Sequence, residues 1–251
     1  MIRNFCTAVL FLGLALAGSA WAADHSNLEE GFPARIEDAY PIDYRALEFM
    51  ASGIYEHSGE HGRHAGEFEP EIKWGFIKNA HVELSAPLVF PGDGEMKNNG
   101  DLVLEGLYNF NVETVELPAL AVKTEFMFPT GVDSAGVDVE VTAIATRGFG
   151  AHRFHFNGSF RRTGGAEAGE REHTFSFGLG YDHPIDLDHL IVADFFVDRS
   201  PLVGGAEEFT FSFGMRKQLN PWSVMTLGMG SGFGASHTPD FRAKLGLQWR
   251  F

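Results

Sequence analysis

Imidazole and carboxylate groups gather at His57, His61 and His64, with Glu56 and Glu60 among them. Both group types ligate zinc and copper. Their spacing matches no fixed metal template, and a polar, Gly-containing stretch orients no ligand in advance. The expectation is a solvated loop that gains charge below about pH 6.5, with no metal assigned. A second cluster, His155-Phe156-Asn157-Gly158-Ser159, holds a base, an amide and a hydroxyl. A nucleophile needs an adjacent base held by a third group. On a strand these three side chains share one face with Arg153 and Arg161, away from any lipid substrate. No G-x-S-x-G is present. Gly228-Met229-Gly230-Ser231-Gly232 has neither the Lys nor the helix of a phosphate loop. The chain is therefore read as no enzyme, with no cofactor; a hydrolase ranks third among the function classes.

More charge sits at alternating positions of amphipathic stretches. Glu69, Glu71, Lys73, Glu83, Glu105, Lys123, Glu125, Glu140, Arg153, Arg161, Asp194, Arg216, Arg242 and Lys244 each fall opposite an apolar face. If the apolar faces meet lipid, these residues line a lumen. Charges there must be wet or paired. They form either a polar path for solutes or a salt-bridged plug.

The elements that hold them are strands. The last stretch sets Phe241, Ala243, Leu245, Leu247, Trp249 and Phe251 against Arg242, Lys244, Gly246, Gln248 and Arg250. This is the period of a strand with one greasy side. It ends on Phe, so Leu245, Leu247, Trp249 and Phe251 read as the C-terminal insertion signal of an outer-membrane β-barrel. Eleven similar stretches precede it, at about 44–56, 67–77, 80–90, 101–110, 119–128, 137–146, 152–161, 173–181, 187–197, 208–216 and 222–232. Each is near the roughly 9–11 residues that cross a bilayer when tilted. Twelve is an even count, and long polar connections alternate with short ones, as in bacterial barrels. Pro70 and Pro87 fall inside expected strands and should mark bulges. The predicted fold is all-β, a single antiparallel transmembrane barrel of about twelve strands over residues 44–251.

The chain has 251 residues, 24 Phe and 30 Gly, and a formal charge of −15. That charge disfavours nucleic acid as a partner. Residues 1–22 read as a secretory leader, with Arg3, an apolar run from Ala8 to Ala17 and the cleavage pattern Ala20-Trp21-Ala22. Cys6, the only cysteine, lies inside it, so no disulfide is expected in the exported chain. Residues 23–43 lack a clean period and are expected to form a periplasmic lead-in. The expected partners are outer-membrane lipid, the barrel-insertion machinery and an unspecified small solute.

Gly100-Asp101-Leu102-Val103-Leu104, Leu117-Pro118-Ala119-Leu120-Ala121, Phe128-Pro129-Thr130-Gly131 and Phe177-Gly178-Leu179-Gly180-Tyr181 resemble the "MetA-pathway of phenol degradation" family of outer-membrane transporters. With the last strands these pieces touch most of residues 100–251. The resemblance implies a single barrel that passes small hydrophobic or aromatic compounds; it supplies no binding residues. The leading expectation is a passive outer-membrane channel. The alternative is a closed structural barrel whose outer loops bind a ligand, a metal or a partner.

Overall fold

The structure, a computed structural model, describes residues 23–28, 32–58, 63–91, 98–131, 134–235 and 238–251. The expected leader over residues 1–22 and His61 lie outside the described residues. Among those described no helix forms, and fourteen strands make one sheet. They are β1 (Leu47–Ser58), β2 (Arg63–Ile77), β3 (Ala80–Ser85), β4 (Leu88–Pro91) and β5 (Asn98–Asn99). Then come β6 (Leu102–Asn111), β7 (Ala119–Phe128), β8 (Asp138–Phe149), β9 (His152–Arg162) and β10 (His173–Pro184). The last four are β11 (His189–Asp198), β12 (Glu208–Asn220), β13 (Ser223–Phe233) and β14 (Phe241–Arg250).

From β6 onward each strand pairs antiparallel with the next, β3 joins β2 to β6, and β1 pairs with both β2 and β14. The sheet closes as a barrel of twelve staves. Closure leaves no unpaired edge, the condition for a sheet to stand in lipid. The third stave is broken. β3 and β4 keep one register on β2, with Glu71 facing Ser85 and Phe68 facing Leu88. Between them lies Ala86-Pro87, and Pro70 of β2 receives the Ala86 N–H at 3.2 Å. The two irregular prolines thus meet at one spot, where neither ring nitrogen can donate to a ladder. β5 pairs only with β4, ahead of β6.

Side chains alternate inside out. Phe126, Phe156, Phe177, Phe211 and Leu245 are exposed on the outer surface, whereas Lys123, Glu140, His155, Ser212 and Arg216 are buried within. Aromatic rings gather near both ends of the staves. Phe49–Trp249 (6.0 Å) and Phe154–Tyr181 (5.4 Å) lie toward the end with the short turns. Phe160–Phe175 and Phe209–Phe233 (both 5.2 Å) lie toward the end with the long loops. Two such girdles mark the two membrane interfaces of a barrel.

Two expectations need correction. Much of the polar stretch expected as a loop over Glu56–Gly66 is strand: β1 runs to Ser58, β2 starts at Arg63, and His57 pairs with His64. Backbone pairing does not need an apolar face, so the ladder outlasts the alternation that made it readable. Second, the described residues of the expected lead-in, 23–28 and 32–43, do not lie below the barrel. They enter the lumen. Leu28, Ala34 and Ile36 pack on Leu190, Val192 and Phe196, and Ala39 packs among Leu107, Ala119, Ala121 and Ile144. Those wall residues point inward and are apolar, so the segment removes both sets from water.

Candidate functional site

The lumen is the candidate site, and its wall holds the segment by side chains rather than by a ladder. Ala23 N–H bonds to Pro221 O at 2.7 Å, and Gly75 N–H bonds to Ala46 O at 3.0 Å. Both anchors lie at the short-turn end. Between them the chain rises to Arg35, whose guanidinium grips Asp198, the last residue of β11, at 2.6 and 2.8 Å. On the way back five wall staves each supply a side chain to its backbone. The N–H groups of Arg35 and Ile36 both donate to Asp194 Oδ2, the latter at 2.8 Å. Glu37 N–H donates to Asn157 Oδ1 (2.9 Å), and Asn157 Nδ2 donates to the Glu37 carbonyl (3.0 Å). One amide here serves both backbone groups of a residue, as a neighbouring strand would. Thr146 Oγ1 accepts from Ala39 N–H (3.0 Å), Asn109 Nδ2 donates to the Ala39 carbonyl (2.6 Å), and His81 Nδ1 accepts from Ile42 N–H (3.3 Å).

Two wall glycines make room for it. A Cβ on Gly180 would lie 2.3 Å from Ile36 Cγ1, and one on Gly228 would lie 2.1 Å from the Pro33 carbonyl oxygen. Any larger residue would contest the space the segment fills.

Charge inside the barrel is paired. Lys123 Nζ, fully buried, lies 2.9 Å from Glu37, 3.5 Å from Glu105 and 3.5 Å from Glu125. Lys73 pairs with Glu83 at 2.8 Å, and Arg161 with Glu140 at 2.8 Å. Arg153 bridges Asp182 (2.9 Å) and Asp38 of the segment (3.4 Å). Gln248 accepts from Arg216 (2.7 Å) and donates to Glu48 (2.6 Å), which also pairs with Arg250.

The structure places every residue expected in the lumen on the inner face. Glu71, Lys73, Glu105, Lys123, Glu140, Asp194, Arg216 and Lys244 are buried there. Glu69, Glu83, Glu125, Arg153, Arg161 and Arg242 are partly exposed. Lys123, Glu105, Glu125, Glu83 and Lys73 form one cluster against the segment, whereas Arg161, Glu140 and Arg242 stand above its tip. Leu245, Leu247 and Trp249 lie on the outer face of β14, facing Gly53, Ala51 and Phe49 of β1, and Phe251 N–H bonds to Leu47 O at 2.8 Å.

The histidines act as local pairs. His57 and His64 stack at 4.7 Å, and the Tyr55 hydroxyl meets His64 Nδ1 at 2.6 Å. His155 bonds to Thr146 Oγ1 through Nδ1 (3.0 Å) and to Asp182 through Nε2 (2.7 Å). A hydroxyl, an imidazole and a carboxylate in line have the outline of a catalytic triad. Thr146, however, also receives the Ala39 N–H, and all three groups are sealed from solvent. They hold the segment. Glu37, His81 and Glu105 also converge within metal-ligand reach. The Lys123 ammonium stands 2.9 and 3.5 Å from two of them and supplies the balancing positive charge.

Above Arg35 the lumen widens into a cup of about 440 Å³ at the long-loop end. Its lining holds five arginines and five carboxylates, with Arg35 on the floor. The rim is tied across loops: Arg171 N–H bonds to Pro201 O (2.7 Å), Val203 N–H to Gly169 O (2.8 Å), and Glu170 bridges to Leu202.

No family model matches the chain, and no curated protein matches it. Solved structures do. The COG4313 outer membrane channel from Pseudomonas putida F1 is 12% identical, with a TM-score of 0.66 over 89% of this chain and 100% of that one. The KdgM porin is 9% identical, with a TM-score of 0.57 over 82% of this chain and 99% of that one. The chain folds as an outer-membrane β-barrel. At these identities the likeness speaks for the fold alone.

Sequence reasoning missed the luminal segment. Two signals pointed to it. Phe32, Ala34 and Ile36 alternate with Pro33, Arg35 and Glu37, and the inner face of β11 carries Leu190, Val192 and Phe196, where a watery lumen calls for polar residues.

Proposed function

We propose that this protein is an outer-membrane channel for small solutes, with residues 23–46 as the element that governs passage. The observation that carries the reading is how the segment is bound. Apart from its ends, its backbone is held by scattered side chains of the wall, with no continuous ladder among the described residues. Such a segment can leave without unzipping the barrel, since the staves keep all their own pairings. The solved barrels of like fold that carry the words channel and porin in their descriptions support the reading. The expected leader would deliver the chain to the outer membrane, where lipid and the insertion machinery are its partners. The cup's charged lining favours polar solutes over the hydrophobic or aromatic compounds that the phenol-degradation resemblance implies. We assign no enzymatic role, because the one triad-like array is sealed beneath the segment.

The filled lumen favours one competing reading, a closed structural barrel with a binding cup. Single-channel recording of the exported chain in a planar bilayer separates the two. A channel gives brief, small openings that lengthen when the tip is loosened by Arg35→Gln or Asp194→Asn. A folded barrel that stays silent in all three forms is a closed one.

A further inference from the structure

In the outer cup two carboxylates, Asp198 and Glu140, are ion-paired, and two arginines have no carboxylate partner among the described residues. Asp198 is held by Arg35 at 2.6 Å, and Glu140 by Arg161 at 2.8 Å. Asp138 and Glu170 each accept one backbone N–H, from Gly164 and Glu167, both at 2.9 Å, and keep their charge. By contrast, among the described residues no carboxylate pairs with Arg171 or Arg199, and Arg171 Nε is buried with no acceptor. A buried guanidinium N–H without an acceptor is costly. These two arginines stand on adjoining loops that backbone bonds tie together. A guanidinium presents a planar fork of donors that a carboxylate matches with two parallel bonds. The cup's 440 Å³ is within the range of small-ligand sites, roughly 300–1,000 Å³.

We propose that the outer cup binds a small carboxylated solute through Arg171 and Arg199, above the Arg35 tip of the luminal segment. The bound carboxylate supplies acceptors to the two guanidiniums that line the cup. As a solute class this rests on the channel reading, but binding itself needs no conduction, so the test reads binding separately.

The experiment is calorimetric titration of the detergent-solubilised full exported chain with succinate, with its neutral analogue succinamide and with inorganic phosphate. Succinate is expected to bind and succinamide not. Arg171→Gln and Arg199→Gln should each weaken succinate at least tenfold, while Arg162→Gln, outside the cup, leaves it unchanged. Retained heat-modifiable migration of each variant on a gel shows that its barrel is folded. Three results overturn the proposal: no succinate binding, equal binding of succinamide, or undiminished binding in both cup variants. Phosphate binding as tight as succinate would mean a general anion site and overturn the carboxylate assignment. Succinate bound by a barrel that never conducts would sink the channel reading and leave this one standing.

Discussion

Lys123 shows how much one buried charge can carry. Its ammonium faces three carboxylates, one of them on the luminal segment, with no solvent access. Lys123→Met leaves those carboxylates uncompensated, and removing one partner of a buried ionic group costs about 3–5 kcal/mol. The expected outcome is a lower urea midpoint for the barrel in lipid vesicles; an unchanged midpoint would mean the cluster is wet. Gly180 acts through space rather than charge. Gly180→Leu puts a side chain where Ile36 lies, so the segment should be displaced while the staves remain paired. Trypsin should then cut after Arg35 in the variant and spare that bond in the parent chain. At this scale the sequence disclosed the face of each charged residue and little of its partnership. Alternation along a strand says which side Lys123 takes. It cannot say that Glu37, outside any strand, will meet it.

Among the elements, the staves were the readable part. A membrane barrel must be apolar outside and polar within, so every crossing repeats the same two-residue period, and eleven of the twelve stood out; the Gly- and Met-rich stretch that becomes β13 was the faint one. The ends were less readable, because pairing continues where alternation fades, as at His57 and His64. Pro70 and Pro87 were legible as irregularities but not as one place, since nothing local shows that they face each other across β2 and β4. Ala86 is held by a single 3.2 Å bond to Pro70 O with no return bond, because Pro70 has no N–H, so its amide should exchange with deuterium faster than those in the middle of β12. Equal protection would mean that the lone bond is as secure as a full ladder. β14 makes a different prediction. It closes the barrel on β1 through ten facing residue pairs, so deleting Phe251 leaves that register intact. Its loss should lower the amount of inserted barrel in cells without lowering the melting temperature of what is inserted. Normal membrane levels would overturn the reading of the last strand as an insertion signal.

For the whole molecule, the net charge of −15 was a poor guide to the interior. Inner acids are largely matched by lysines and arginines, and at the cup Arg171 and Arg199 have no carboxylate partner among the described residues. The luminal segment stayed hidden for a reason of the same scale: its partners are spread from Gly75 to Arg250, and only the closed barrel gathers them. That arrangement makes the protein a receptor with its own ligand on a leash. The leash, Asp43 to Ala46, is short, and short tethers give effective concentrations on the order of millimolar. Against such a concentration an intrinsic pull of about 4 kcal/mol is enough to keep the ligand seated half the time. A free peptide of residues 23–42 should therefore silence, in trans, a barrel made without those residues. At the same millimolar dose it should add little to the tethered barrel, because there the seat is already taken.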